Sequence, residues 1–324
     1  MRVRSIDITK GVLIVLVVLG HVIPSSHPRL HAFLYLFHIP AFFIVSGMTH
    51  SAIDKGHLSQ AIFKLSRTYL LPYLSFLILV AIFTHVFLYD IPVKSLILGG
   101  SWLNGTLGVF WFITVLYMTK VIFTVVGAFV KKRVAQIVII GILSVVGVGS
   151  LIFINVATVP FNLFWDIQVV PLALLFFALG YYFRGAERNP FVLHVSTLIT
   201  LGVSAMYFLG RLQVGFDMKL AFMFFSSVSL VILFASAMTV LLLRMSQIVE
   251  KMGMFGTLLE TLGRSTLVVM YLHQLIIATI TVKLPAFSQI VVFILCIIIP
   301  LLFGTIVKHS RWLSLVFLGK WVGD

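Results

Sequence analysis

Apolar runs of about 17–25 residues recur ten times along this chain, each long enough to cross a hydrocarbon core of about 30 Å as a helix. They fall at roughly 8–24, 30–50, 69–89, 108–130, 134–156, 167–183, 191–209, 218–243, 264–282 and 286–307. The 324 residues are 61% hydrophobic and 10% charged, where soluble domains hold about 45–50% and about 25%. The sequence therefore predicts an all-α, polytopic membrane bundle of about ten transmembrane helices. It predicts a single integral-membrane domain over 1–324 and no soluble domain, with loops at about 51–68, 90–107 and 244–263. That composition excludes soluble enzymes, nucleic-acid-binding modules and disulfide scaffolds, and the one cysteine, Cys296, supports neither a disulfide within the chain nor a thiolate metal cluster.

A net charge of +14 would suggest a polyanionic partner in a soluble protein. Here the Lys and Arg residues are spread among the loops, so their placement reports topology. With the N-terminus inside, the cytoplasmic loops and ends collect 17 of the 23 basic residues, among them Arg2, Arg4, Lys10, Lys64, Arg67, Lys131, Lys132, Arg133, Arg264 and Lys320. Arg29, Lys94, Arg211, Lys219 and Lys283 fall outside, and Lys120 lies within the fourth span. The positive-inside rule thus predicts that both termini are cytoplasmic. The first apolar run follows Arg2, Arg4 and Lys10 like a secretory signal, but no small-residue cleavage site follows it, so it reads as a retained helix.

Polar residues inside spans are the candidates for function, since a charge at the membrane centre costs at least about 2.5–3.5 kcal/mol. They are His21, His38, His85, Lys120, His194 and His273. The nine acidic residues all lie near or beyond span ends, which weakens a proton-coupled or cation-coupled transport reading. In the first span, Lys10 and His21 differ by about 20° around the helix, Asp7 and His21 by about 40°, and His21 lies roughly 16 Å from Lys10 along the axis. A cation at one mouth and an imidazole further in suit an anionic donor that enters head-first. A snorkelling Lys10 and a histidine hydrogen-bonded between helices would give the same pattern. In the second span, Pro40 predicts a kink near His38, and Ser46-Gly47 permits close helix approach.

These two stretches resemble the signatures of the integral-membrane acyltransferase-3 family, in particular its fucose 4-O-acetylase-like branch. Asp7, Lys10, Gly11 and His21 match the family's basic residue, ten residues, then histidine, with Lys where many members carry Arg. Phe37-His38-x-Pro40-x-Phe42-Phe43-x-x-Ser46-Gly47 resembles its second signature. Lys64-x-x-Arg67 before Pro72-Tyr73, Gly108-x-x-Trp111-Phe112, and Leu262-Gly263-Arg264-Ser265 with Tyr271-Leu272-His273 resemble later ones in the same order. The resemblance implies a multi-pass O-acyltransferase of a bacterial cytoplasmic membrane that moves an acyl group, in the first instance acetyl, from acyl-CoA to a sugar or glycan hydroxyl. It implies acyl-CoA, the acceptor and membrane lipids as partners, with no metal and no nucleic acid, and leaves open whether the acyl group passes on to another protein.

Within that expectation His21 is the general base, because imidazole titrates near neutral pH, and Asp7 is grouped with it as catalytic. Lys10, Lys64, Arg67 and Arg264 are candidate contacts for the donor phosphates, although each also suits a plain positive-inside role. His38, Ser46, Trp111, Tyr271 and His273 are candidate cavity residues. Two other classes compete: a transporter or flippase for a lipid-linked sugar, and a bis-histidine haem or metal protein built on His21 and His38.

Overall fold

The computed structural model describes residues 3–23, 26–156, 163–219, 222–223 and 225–321; Arg2 of the charge count lies outside them. The chain is helical almost throughout. In order run α1 (Arg4–Val22), α2 (Pro28–Tyr35), α3 (His38–Met48), α4 (Leu58–Phe87), α5 (Val93–Leu98), α6 (Trp111–Phe129) and α7 (Arg133–Val156). They are followed by α8 (Val170–Tyr182), α9 (Pro190–Phe208), α10 (Phe225–Val249), α11 (Gly253–Arg264), α12 (Thr266–Lys283), α13 (Gln289–Lys308) and α14 (Arg311–Leu318). Two-residue strands, Phe216–Asp217 and Phe222–Met223, pair antiparallel between α9 and α10. Ten stretches are long and apolar enough to cross a membrane, and each coincides with an expected span.

The three stretches expected as loop all hold helix, α5 within 90–107 among them. α4 begins at Leu58, so Lys64 and Arg67 sit on its first turns rather than in a loop ending at 68. The stretch 244–263 is the end of α10 followed by α11, and α14 follows the last span. Polar residues lower the local hydropathy at the start of α4, in α11 and in α14, yet Lys, Arg, Gln and Leu are good helix formers. Local chemistry sets several ends. Asn189 caps α9 by accepting from the Phe191 amide at 2.9 Å, with Pro190 at its first position. Pro40 has no amide proton for the Leu36 carbonyl, and the second span accordingly breaks at Leu36-Phe37, separating α2 from α3.

The chain forms two compact units. Unit 1 comprises Met1–Ser51, Ile137–Pro160 and Pro171–Arg264. Within it α1 packs on α11, α10 and α3, and Thr9 Oγ1 ties α1 to α10 through Ser246 Oγ at 2.8 Å. Unit 2 comprises Ala52–Gln136, Phe161–Val170 and Ser265–Asp324. Its core is aromatic: Tyr271 stacks on Phe76 at 4.6 Å and meets Phe110 at 4.8 Å. Beside that core, fully buried Asp166 accepts from Ser101 Oγ at 2.8 Å and from Gln168 Nε2 at 3.2 Å. Trp165 and Asp166 both have φ of 55°, a left-handed backbone that costs non-glycine residues about 1–3 kcal/mol each.

Candidate active site

One end of α1 is locked to α11 by two glycines. A β-carbon on Gly11 would strike the Leu259 carbonyl, and one on Gly263 would strike the Asp7 carbonyl. With hydrogen there instead, the two backbones touch, as small residues allow in membrane helix packing. This crossing brings Asp7 and Arg264, 257 positions apart in sequence, into one charge network. Asp7 is 3% exposed and lies 3.6 Å from Lys10 Nζ and 3.9 Å from Arg264 Nε. Arg264 also pairs with Glu260, which takes Arg4 Nε at 2.7 Å. Arg4 reaches on to the Glu250 carbonyl at 3.0 Å and to Thr257 Oγ1 at 3.1 Å. Three cations thus meet two carboxylates. The Lys10 and Arg264 side chains stay 28% and 50% exposed, so a further anion can reach them.

The other end of α1 carries His21 in its last turn. Fourteen residues, about 21 Å of helix, separate it from Asp7. Its neighbour is Tyr35 on α2, whose hydroxyl faces the imidazole edge at 3.3 Å from Nε2 and 3.4 Å from Nδ1. Gly20 makes the room: its missing β-carbon would lie 3.3 Å from the Tyr35 ring. Tyr35 is the centre of a histidine cluster, with His31 at 4.4 Å and His38 at 4.7 Å between ring centroids. His38 is 1% exposed, and its Nδ1 donates to the Leu34 carbonyl at 2.5 Å, which fixes its tautomer. The break between α2 and α3 creates this geometry, since it leaves the Leu34 carbonyl facing the first residue of α3. Ser46 lies two turns further along α3, half-buried, beside a second reciprocal glycine crossing: Gly47 meets the Phe177 carbonyl of α8, and Gly180 meets the Ile44 carbonyl.

Unit 2 holds the other candidates. Lys64 and Arg67, one turn apart on α4, line one cavity, and Ser66 between them anchors α4 to α6 through the Tyr117 hydroxyl at 2.8 Å. Trp111 is buried at the start of α6. Tyr271 is enclosed in the aromatic core. His273, also buried, donates from Nδ1 to the Val269 carbonyl at 2.9 Å, and its own carbonyl accepts from Cys296 Sγ. The other ionisable candidates of the spans, Lys120, His85 and His194, have structural partners. Lys120 lies 5.8 Å over the Tyr69 ring, His85 pairs with Asp90 at 3.0 Å, and His194 donates to the Pro190 carbonyl at 2.6 Å. Among the described residues no group of three or more His, Cys, Asp or Glu side chains is placed to hold a metal ion.

The model of the acyltransferase-3 family, described as an acyltransferase domain, matches residues 3–309. The chain belongs to the acyltransferase-3 family. It is accordingly a multi-pass membrane acyltransferase, and the transporter or flippase reading is not favoured. Neither a curated protein nor a solved structure matches it.

For this acyltransferase, sequence reasoning passed over Glu260, Arg4, Tyr35 and His31. The last two carried a signal, since His31, Tyr35 and His38 are spaced four and three residues apart. Glu260 lay in a stretch read as loop. Its i, i+4 relation to Arg264 becomes visible only once α11 is helix.

Proposed function

We propose that this acyltransferase transfers an acyl group, in the first instance acetyl, from cytoplasmic acyl-CoA to a hydroxyl of a sugar or glycan, with His21 as general base. The observation that carries the reading is the layout of α1. At one end Asp7 holds Lys10 and Arg264 together where donor phosphates can be met. At the other, His21 sits half-exposed against the Tyr35 hydroxyl. The roughly 16 Å of helix between Lys10 and His21 suits a donor whose charged end and thioester are joined by a long arm. Asp7 is then a positioning residue for the donor cations, and Lys64 and Arg67 are kept as donor-phosphate contacts on the strength of their motif.

The chemistry balances without a further reactant. The acceptor hydroxyl gives its proton to an unprotonated His21 nitrogen as its oxygen attacks the thioester carbonyl. The carbon–sulfur bond of the tetrahedral intermediate then breaks, and the imidazolium returns the proton to the thiolate. The products are an ester and free coenzyme A. Tyr35 fixes the ring through its hydroxyl, and His38, buried behind Tyr35, holds that phenol in place. The sugar acceptor rests on the resemblance to the fucose 4-O-acetylase-like branch.

His21→Gln tests the assignment. Removing a positioned base costs about 10²–10⁴ in rate, so transfer should collapse while coenzyme A binding and thermal stability stay near wild type. His85→Ala, at the exposed Asp90 pair, should change little. A folded His21→Gln protein that transfers acyl groups at the wild-type rate would end the general-base assignment. Mass spectrometry of surface glycans from cells with and without the gene identifies the ester and its acceptor together.

A further inference from the structure

Unit 1 encloses a cavity of about 340 Å³ between α3, α8, α9 and α10. Its floor is the glycine crossing of α3 and α8, where Ile44 and Gly180 line it. Along α10 it runs from Leu243 to Ile232, about 16 Å of helix, which is about half of a hydrocarbon core of about 30 Å. Leu233, inside the span and 57% exposed, borders it, so the cavity opens toward lipid. Length and opening together match one chain of a lipid in one leaflet.

Apart from the hydroxyls of Ser196, Ser236 and Thr239, the walls are apolar, and Thr239 Oγ1 donates to the Ala235 carbonyl at 2.6 Å. One end is different. Between α8 and α9 the chain turns through Gly185, whose φ is 89°, and the turn sets Glu187 and Arg188 on opposite sides. The Glu187 side chain lines the cavity and is 8% exposed, while that of Arg188 is 76% exposed. Among the described residues that line the cavity, Glu187 is the only ionisable one. It lies 3.7 Å from Arg188 Nε, beyond hydrogen-bond distance, and Arg184 is turned to the His50 carbonyl at 2.7 Å. A carboxylate held against an apolar cavity is costly unless a cation or a hydrogen-bond donor meets it. A primary ammonium is both, with three N–H donors in one group. Arg188, next in sequence and turned outward, is placed to meet a phosphate joined to that ammonium. A purely anionic headgroup would set a second negative charge against Glu187.

We propose that this cavity seats one acyl chain of a phospholipid with a primary ammonium headgroup, phosphatidylethanolamine, whose ammonium pairs with Glu187 and whose phosphate meets Arg188. None of these residues is assigned to acyl transfer, so this lipid site and the His21 reading fail separately.

The test places the full chain in nanodiscs that hold equal amounts of phosphatidylethanolamine, phosphatidylcholine and phosphatidylglycerol with the same acyl chains. Native mass spectrometry counts the lipid that stays bound on release, and thermal unfolding checks each variant. Wild type should retain phosphatidylethanolamine about tenfold over phosphatidylglycerol and over phosphatidylcholine, whose quaternary ammonium has no N–H. Tenfold is about the size expected for one charge-assisted hydrogen bond. Glu187→Gln, which keeps the shape of the side chain, should remove the preference. Ala237→Leu, on the α10 wall, narrows the cavity with every charge in place and should lower retention as far. Asp54→Asn, at an acid whose side chain is 83% exposed and which does not line the cavity, should change nothing. Equal retention of the three lipids by wild type overturns the proposal without any variant. So does a folded Glu187→Gln protein that keeps the wild-type preference, and full retention in Ala237→Leu removes the chain from the cavity and overturns it as well.

Discussion

The glycine crossing of α1 and α11 yields the sharpest quantitative expectation, because what a β-carbon would meet there is backbone, which cannot rotate away. In Gly263→Ala the new carbon would lie 2.6 Å from the Asp7 carbonyl carbon and 3.0 Å from the Gly11 nitrogen. The nearest obstacle is the Asp7 carbonyl oxygen, which the new carbon would overlap, so the helices must part by more than about 1 Å, a gap at which each facing atom pair forfeits about a half of its dispersion energy. Overpacking of this kind costs about 1–3 kcal/mol, and a clash with backbone belongs in the upper part of that range. Against it stands the better helix propensity of alanine, about 0.8–1.0 kcal/mol. The clash wins, and the net loss should be about 1–2 kcal/mol. The Arg264 to Asp7 approach, 3.9 Å in the native packing, would open to roughly 5 Å by the same displacement, so donor affinity should fall although no charge is removed.

The control is Gly202→Ala on α9, where a β-carbon meets nothing within 4 Å; it should be neutral or slightly stabilising. Thermal unfolding in nanodiscs reads the stability term and coenzyme A titration the geometric one. Gly11→Ala combined with Gly263→Ala should cost less than the sum of the two, since one separation of the helices relieves both clashes. The reasoning is refuted if Gly263→Ala matches Gly202→Ala in thermal midpoint and donor affinity alike.

Two further outcomes are expected. The Tyr73 and Tyr271 hydroxyls are buried with no hydrogen-bond partner among the described residues, so Tyr73→Phe and Tyr271→Phe should retain or slightly gain stability and keep full activity, whereas Tyr271→Ala should cost about 3–5 kcal/mol. Activity lost in a stable Tyr271→Phe protein would instead place that hydroxyl on a substrate. For topology, Cys296 is fully buried, so the native chain is a quiet background for thiol labelling. Lys132→Cys should be labelled by an impermeant reagent only from the cytoplasm and Lys94→Cys only from outside, and the reverse pattern would overturn the placement of the donor.

Hydropathy made the ten spans legible because bilayer thickness dictates their length. It failed where helices are short or polar. α11 has only twelve residues, too short for a span, and its exposed side mixes Thr257, Thr261 and Arg264 with Met254 and Leu258, yet Leu259, Leu262 and Gly263 recur on the side it buries. α4 was cut short because Lys64 and Arg67 depress hydropathy without breaking a helix. The same-face relation of Asp7, Lys10 and His21 followed from helix geometry alone, but their partners did not. Arg264 and Glu260 reach Asp7 and Arg4 through contacts between residues more than 250 positions apart, and the left-handed turn at Trp165 and Asp166 is fixed by burial against Ser101 and Gln168 rather than by local residue preference.

Four of the six candidate residues of unit 1 have a glycine as neighbour, and its role is physical. Lys10 precedes Gly11, His21 follows Gly20, Ser46 precedes Gly47 and Arg264 follows Gly263. Each of these glycines meets another element where its β-carbon would be, whereas Gly127, Gly141, Gly149 and Gly202, which border no candidate, meet nothing within 4 Å. In lipid there is little hydrophobic drive to press one helix on another, so the position of a helix is set by how closely backbones can come and by the polar pairs that then form. A reactive side chain next to such a contact inherits its rigidity, because one residue of helix leaves little freedom between them. Placement within about 0.5 Å is what acyl transfer demands of its groups, and a polar residue beside a crossing glycine meets that demand on a helix without any loop. These dipeptides, together with Asp7 and His38 that they hold in register, are where variants of unit 1 should be tested first.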